Sequence, residues 1–214
     1  MKAAGIEFEE IKVELYSPDG KQQLLQYTDA GKVPVLIDND IPIWDSLAIA
    51  EYLVEHHPEK ALWPLASDSR AIARASVTAE MHSSFNAIRG TLPMNCRRST
   101  QYENISPELQ KEIDRICKIW KSCCEEYGEQ GDFLFGKLSI ADAFYAPVVV
   151  RLNGYNINAG KIERQYMDNI LVLSALQAWI KEAKQEKTVV EAYELTQGAF
   201  GGHSPTYMAL RQRW

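Results

Sequence analysis

Long apolar runs are missing from this sequence, and its first residues do not show the pattern of a secretory leader. The longest apolar run, at 143–150, is far too short to cross a bilayer. The first residues, Met-Lys-Ala-Ala-Gly, lead directly into charged side chains instead of the basic and then apolar segment of a secretory signal. These absences predict a protein without a membrane partner.

Cysteine is scarce and carries no pairing pattern. Only Cys96, Cys117, Cys123 and Cys124 occur, no two of them form a Cys-x-x-Cys pair, and the four histidines do not cluster with them. Zinc-ligand spacing is therefore absent, and we expect no metal. Four thiols without a framework are typical of reduced cysteines in a cytoplasmic protein.

Basic charge is also in short supply, with a net charge of −6 and a pI near 5.3. A nucleic-acid-binding protein would usually show a basic footprint, so no nucleic-acid partner is expected. Residues 1–66 carry 5 basic and 12 acidic side chains, whereas the rest of the chain is close to neutral. This asymmetry, with prolines at 58 and 64, predicts a boundary near 63–67 between domains at 1–64 and 67–214.

The first part of the chain alternates between strand and helix patterns. Apolar residues from Ile6 to Leu15 alternate with charged ones and predict a half-buried strand with an irregular step at Glu9 and Glu10. A weak helix that ends at Gly31 follows. Short strands are predicted at 35–37 and Ile41–Trp44, joined by an Asp-Asn-Asp turn, and then a helix at 46–55.

The second part of the chain shows helical periodicity only. A long helix is predicted over 68–98, with Pro93 kinking it or ending its regular part, and amphipathic helices over Pro107–Tyr127 and 139–152. Further helices are predicted near 162–168, 171–185 and 187–196. The two patterns together predict an α+β protein in which a helical bundle follows a mixed domain.

Val33 and Pro34 stand immediately before a predicted strand. A proline that opens a strand cannot donate to the ladder. If the bond between them is cis, the backbone N–H and C=O of Val33 are free to pair with an extended peptide. The alternative is an ordinary trans proline at a strand edge.

Asp45 and Ser46 open the next helix, with Ser46 as the expected N-cap. The first-turn amides and the positive end of the helix dipole suit a small carboxylate, and the carboxylate of Asp45 suits an ammonium group. Both groups on one carbon describe the head of an amino acid. The alternative is simple capping.

Two further clusters have competing interpretations. Ser139 and Asp142 have the spacing of a capping box before an apolar helix, and the structural interpretation is preferred. His82, Asn86 and Arg89 fall on one face of the long helix and could line a pocket for an acceptor substrate. The alternatives for this face are exposure to solvent or tertiary salt bridges.

Taken together, these segments resemble a cytosolic glutathione S-transferase over nearly the whole chain. The resemblance rests on GKVPVLID, WDSLAIAEYL, EMHSSFNAIRGTLPMNCRR and FLFGKLSIADAFYAPVVVRL in this order. The third segment is similar to bacterial members related to the zeta and other serine-type groups. The resemblance implies a thioredoxin-like domain, an all-helical domain and a homodimer, with glutathione as co-substrate.

The resemblance also assigns roles to individual residues. Lys32, Val33 and Pro34 would bind the tripeptide, with the Val33 backbone paired to its cysteinyl residue and Pro34 as the cis-proline. Asp45 and Ser46 would hold the γ-glutamyl head group. Ser139 and Asp142 would form the helix cap of the family.

The amino terminus departs from the family pattern. On the order of 20 residues, a first strand and most of a first helix, are missing relative to family members. With them goes the position of the residue that activates the thiol, so no catalytic residue is assigned and weak catalysis is expected. A start codon assigned too late is favoured over an artificial truncation or a natural short variant.

The resemblance therefore implies a glutathione transferase that conjugates the thiol to a small electrophile. A related possibility is a glutathione-dependent cis–trans isomerase of the maleylacetoacetate type. Two non-enzymatic alternatives stand beside them: a short form that binds glutathione or a partner without turnover, and a helical interaction domain.

Overall fold

The computed structural model describes residues 1–65, 71–128 and 131–189. They form two compact units, one drawn from Met1–Ser84 and Cys123–Phe144 and the other from Phe85–Ser122 and the described residues 145–189. Residues 66 and 67, at the predicted domain boundary, lie outside the described residues. The boundary between 64 and 67 therefore stays a prediction.

The first unit contains a β-hairpin. Strands β1 (Val35–Asp38) and β2 (Ile41–Trp44) pair antiparallel, from Val35 opposite Trp44 to Asp38 opposite Ile41. The two loop residues, Asn39 and Asp40, both have positive φ, at 47° and 65°. A two-residue loop of this kind matches the twist of the strands, which is why Asn and Asp are favoured there. Both strands and their turn confirm the sequence-based prediction.

Short helices precede and follow the hairpin along the chain. Helix α1 (Gly20–Leu24) precedes β1, and α2 (Ser46–His56) follows β2 directly. A 3₁₀ turn at Pro58–Lys60 and a π-helical segment at Ala73–Thr78 lead into α3 (Ala79–Ser83). The π-helical segment and α3 replace the regular start that the sequence predicts for a long helix.

The predicted strand at 6–15 is wrong. Residues 6–14 have no regular structure, and among residues 6–15 only Ile6 is buried. The alternating pattern creates one apolar face, but a strand also needs a neighbour that completes its hydrogen bonds. In the described part of the chain the only sheet is the hairpin, whose two strands pair with each other. Neither strand pairs with residues 6–15.

The predicted continuous helix over 68–98 is also wrong. Helix α3 ends at Ser83, Ser84 is extended, and the buried Phe85 takes a left-handed conformation with φ 64°. Helix α4 (Asn86–Thr91) then begins anew. No glycine or proline marks this break, so the sequence gives no signal for it.

Tertiary hydrogen bonds explain where α4 begins. Glu112 accepts the amide N–H of Ala87 at 3.1 Å through one carboxylate oxygen and that of Ile88 at 2.9 Å through the other. These are first-turn donors that a helix cannot satisfy internally. A carboxylate supplied from a distant helix thus caps α4, which local sequence does not reveal.

The later helices match the prediction closely. They are α5 (Pro107–Tyr127), α6 (Ile140–Gly154), α7 (Lys161–Leu171) and α8 (Ser174–Gln185). The stripe predicted for α5 is buried at Leu109, Ile113, Ile116 and Trp120. In the second unit Trp120 packs edge-on against Tyr145, with ring centroids 5.7 Å apart. Residues 187–189 are not helical, and the rest of the predicted helix 187–196 lies outside the described residues.

Asp142 organises the start of α6, as the capping-box spacing predicts. Its side chain is fully buried and accepts hydrogen bonds from the Ser139 amide at 2.8 Å, the Ser139 hydroxyl at 2.9 Å and the Leu134 amide at 3.1 Å. The Ser139 hydroxyl donates to Asp142 and not to solvent. The cap is therefore a structural feature that also fixes the preceding turn at Leu134.

None of the helices in the described ranges combines the length and the apolar character that a bilayer crossing requires.

Candidate functional site

The register of the hairpin brings the two predicted binding segments together. Val35 pairs with Trp44 in the last rung of the ladder. Val33 and Pro34 directly precede this rung, and Asp45 directly follows it. Both segments therefore lie at the open end of the same hairpin, because antiparallel strands begin and end side by side.

The first segment presents its backbone at the surface. The Val33–Pro34 peptide bond is cis, and Lys32, Val33 and Pro34 are all exposed. Half of the Val33 surface is accessible, and the residue lies outside the ladder, which begins at Val35. Of the two interpretations of Pro34, the structure has the cis form.

Asp45 caps helix α2, so the prediction that Ser46 is the N-cap is wrong. The Asp45 carboxylate Oδ1 accepts the amide N–H of Leu47 at 2.8 Å and that of Ala48 at 3.4 Å. Ser46 is the first helical residue instead. A charged acceptor interacts better than a hydroxyl with the positive end of the helix dipole, which favours Asp45 as the cap.

The backbone of Asp45 adopts an unfavourable conformation, with φ 73° and ψ 128°. Residues other than glycine avoid this region because Cβ crowds the backbone. Such conformations cost about 1–3 kcal/mol and cluster at functional sites. Capping alone does not require this conformation, since N-cap residues usually lie in the β region.

His82, from helix α3 in the same unit, completes the cluster. Its Nε2 lies 3.0 Å from Oδ2 of Asp45, and its Nδ1 lies 3.4 Å from Oγ of Ser46. The rings of His82 and Phe144 lie in a T-shaped arrangement, with centroids 6.0 Å apart. The sequence places His82 in an acceptor pocket, whereas the structure places it on the predicted head-group clamp.

Comparison with known proteins gives this site its context. The family model "Glutathione S-transferase, N-terminal domain" matches residues 1–55, which include the hairpin and most of α2. "Glutathione S-transferase 1" from Dianthus caryophyllus is 28% identical over 160 residues, 72% of this chain and 70% of that protein. "Probable maleylacetoacetate isomerase" from Caenorhabditis elegans is 40% identical over 70 residues, 33% of each chain.

The chain is therefore similar to glutathione S-transferases, and residues 1–55 match the amino-terminal domain of that family. Solved structures agree on the fold. A glutathione transferase homolog from Burkholderia gl BGR1, with bound glutathione, is 23% identical, covers 87% of this chain and 88% of its own, and has a TM-score of 0.59. The tau class transferase MiGSTU from Mangifera indica is 17% identical, with 86% of each chain covered and a TM-score of 0.63. The expected architecture, thioredoxin-like and then all-helical, is therefore confirmed.

The other residues predicted for the acceptor pocket do not form one helix face with His82. Asn86 is the exposed first residue of α4, and Arg89 follows on the same helix. The break at Ser84 and Phe85 interrupts the i, i+4, i+7 arrangement that the sequence predicts. Their role in an acceptor pocket stays a prediction.

Burial changes the pKa of two arginines in the second unit, Arg89 and Arg151. Burial lowers the pKa of Arg89, and the Glu112 carboxylate opposes that change. Burial also lowers the pKa of Arg151 to about 10, and the positive charge of Arg89 adds to the decrease. Arg151 donates from Nε to the carbonyl oxygen of Leu92 at 3.0 Å. Arg151 therefore has a structural partner, which the sequence does not predict.

Proposed function

We propose that this chain is a glutathione S-transferase that binds glutathione at the open end of the hairpin and conjugates its thiol to small electrophiles. The observation that carries the proposal is the juxtaposition of Val33 and Pro34 with Asp45 and Ser46. An exposed strand-like backbone beside an amino-acid clamp is what a γ-glutamyl tripeptide requires.

The clamp residues suit the γ-glutamyl head group. Asp45 has one carboxylate oxygen, Oδ2, that does not cap α2, and an α-ammonium group could pair with it. The Asp45 side chain leaves the Ser46 amide uncapped, so the Ser46 amide and hydroxyl could donate to the α-carboxylate. The positive end of the α2 dipole supports an anion at this place.

The cysteinyl part of the tripeptide would pair with Val33. An extended peptide gains affinity from main-chain hydrogen bonds when it adds to an exposed strand edge. Val33 suits this role because it is half exposed and lies beyond the last rung of the ladder. Lys32, also exposed, would contribute a positive charge near the tripeptide.

The proposed reaction is a thiol conjugation. The thiol of glutathione loses its proton to solvent or a base, and the thiolate sulfur attacks an electrophilic carbon. An S–C bond forms, and the leaving group, such as chloride, departs with its bonding electron pair. A free thiol titrates near pH 8.5, so stabilisation of the thiolate would set the rate at neutral pH.

A fluorescence titration with glutathione tests the binding. Trp44 is 53% exposed and adjoins Asp45, so its emission should report on ligand at the clamp. We expect saturable binding by the wild type and a loss of about tenfold in affinity for Ser46→Ala, from one hydrogen bond to a charged group. Ser174→Ala is the matched control, because Ser174 is also the first residue of a helix.

Equal affinity of Ser46→Ala and Ser174→Ala would contradict the proposed clamp, and no binding by the folded wild type would contradict the proposed function. Turnover is measured next, with an activated aryl chloride and release of chloride. Saturable binding without chloride release would support the non-catalytic alternative.

A second candidate function is glutathione-dependent cis–trans isomerisation. The 40% identity over 70 residues to the probable maleylacetoacetate isomerase favours it. In that reaction glutathione adds to a conjugated double bond and leaves again after rotation, so it is not consumed. Isomerisation of a maleyl substrate at constant glutathione concentration would support this function over conjugation.

Homodimer formation and a cytoplasmic location belong to the same proposal and rest on the resemblance. Sedimentation at several concentrations tests the first, and a fluorescent fusion expressed in cells tests the second.

A further inference from the structure

Both carboxylate oxygens of Asp45 already have partners within the chain. Oδ1 accepts the first-turn amides of α2, and Oδ2 lies 3.0 Å from the His82 ring nitrogen. The second contact matters for ligands, because Oδ2 is the oxygen that an incoming ammonium group would use. The His82 side chain is 31% exposed and that of Asp45 48% exposed, so solvent and small ligands reach the pair.

We propose that His82 competes with the α-ammonium group of the ligand for Oδ2 of Asp45, and thereby sets how strongly the site selects ligands that carry this group. The inference rests on the proposed function and names a specificity-determining residue for it. Binding of an ammonium group exchanges one partner of Asp45 for another. A ligand without the ammonium group leaves the His82 contact in place.

The surroundings of His82 favour competition over a simple structural contact. The ring lies between the two clamp residues, with Asp45 on one nitrogen and Ser46 at a longer distance on the other. The apolar ring of Phe144 lies in a T-shaped arrangement with the imidazole. In these contacts Asp45 is the only charged partner, so displacement from Oδ2 removes the main electrostatic contact of the ring.

The expected size of the effect is modest. Exposed ion pairs contribute little, and a fivefold change in affinity is about the upper limit for one such pair. Removing His82 should therefore tighten glutathione binding by about two- to fivefold. It should not tighten the binding of an analogue without the ammonium group, since that analogue does not compete for Oδ2.

The test compares two ligands, glutathione and its des-amino analogue glutaryl-cysteinyl-glycine, on the wild type and on His82→Ala. The readout is the dissociation constant of the analogue divided by that of glutathione. A larger value means a stronger preference for the ammonium group. We expect this ratio to rise by about two- to fivefold in His82→Ala. A purely structural role for His82 would change both dissociation constants together and leave the ratio unchanged.

The control is His57→Ala. His57 lies 3.7 Å from Glu59 and has a side chain 35% exposed, so it is a similar histidine–carboxylate pair at another place in the same unit. Its removal should leave the ratio at the wild-type value. His82→Gln is the second variant, in case His82→Ala fails to fold, and circular dichroism verifies the fold of each.

The outcomes separate the two proposals. An unchanged or smaller ratio in the folded His82 variants, with normal glutathione binding by the wild type, overturns the competition and leaves the proposed function intact. Failure of the folded wild type to bind glutathione overturns both.

Discussion

Asp45 combines three roles in one residue. It caps α2, contacts His82 and holds a backbone conformation that few residues other than glycine adopt. Asparagine could preserve two of these properties, because it is an equally good N-cap and tolerates positive φ. The negative charge is the property that only an acid supplies, and an ammonium ligand needs it.

Asp45→Asn should therefore separate binding from stability. We expect the free energy of unfolding to change by less than about 1 kcal/mol, because the cap acceptor remains. Glutathione affinity should fall by about tenfold or more, since a charge-assisted contact is lost. Urea unfolding and the fluorescence titration measure the two quantities.

The matched control for this substitution is Asp40→Asn, another exposed aspartate with positive φ, in the turn of the same hairpin. It should leave the affinity unchanged. An equal loss of affinity in both variants would contradict a specific role for Asp45.

Cys117 on α5 gives a pH-dependent prediction. Burial, with Glu163 and Asp114 nearby, raises the pKa of its thiol to about 11 from a model-compound value of 9.0. The unfolded chain therefore loses this proton at a lower pH than the folded chain does. Stability from this residue is fully present below pH 9 and is lost as the pH rises towards about 11.

Thermal unfolding between pH 8 and pH 10.5 tests this prediction. The melting temperature of the wild type should fall more steeply with pH than that of Cys117→Ala, whatever the constant offset between the two. Parallel curves would show that burial does not shift this thiol.

At the scale of elements, the sequence predicts those helices and strands correctly whose formation depends on local residue patterns. Helix α5 has the predicted bounds because one amphipathic stripe runs along its full length. The hairpin is predictable because turn residues and strand residues agree. The segment 6–15 and the break at Ser84 and Phe85 depend on partners distant in sequence, and so their local patterns mislead.

The same reasoning applies to the candidate site. Val33, Pro34, Asp45 and Ser46 are recognisable from local pattern, and the register of the hairpin joins them. The contact of His82 with Asp45 spans 37 positions, and no periodicity indicates it. The choice of Asp45 over Ser46 as N-cap depends on a backbone conformation that the sequence does not reveal.

Glu112 carries the main prediction at this scale. Glu112→Gln should destabilise the protein by about 1–2 kcal/mol, because a glutamine has one acceptor oxygen for two amides and would point an N–H at the other. The neutral glutamine would also attract Arg89 less strongly than Glu112 does, which would destabilise the protein further. Glu108→Gln, an exposed residue in the first turn of α5, should cost only a few tenths of a kcal/mol, or about 0.5 at most.

Urea unfolding of both variants, with hydrogen exchange at Ala87 and Ile88, measures this effect. Equal stability of the two variants, or unchanged protection of both amides, would contradict the capping role of Glu112.

At the scale of the whole molecule, the order of the motifs carries more information than any one of them. Each segment alone has an ordinary structural explanation, whereas their order along one chain resembles that of glutathione S-transferases. The fold is therefore predictable where the individual roles are not. The choice of electrophile depends on the side chains that line the acceptor pocket, and no local sequence pattern identifies those side chains.

Ligand binding should be visible as a change in stability of the whole protein. Glutathione at 100 times its dissociation constant should stabilise the folded state by about 2.7 kcal/mol, which is roughly 5–10 °C in melting temperature for a chain of this size. Ser46→Ala at the same concentration should show about half of that stabilisation, since its affinity is about tenfold lower.

The control ligand is the dipeptide cysteinyl-glycine, which lacks the γ-glutamyl head group and should shift the melting temperature little. A shift as large as that of glutathione would show that the head group, and with it the clamp, is not what the protein binds.

The strained backbone of Asp45 has a consequence for the evolution and engineering of this protein. Random mutation followed by selection for heat resistance alone would favour glycine at this position, because glycine has no Cβ to crowd the backbone and is still an acceptable N-cap. Selection for a ligand head group would restore the acid. The two pressures act on one codon in opposite directions. Libraries selected for thermal tolerance should therefore lose Asp45 when ligand is withheld and keep it when ligand is supplied.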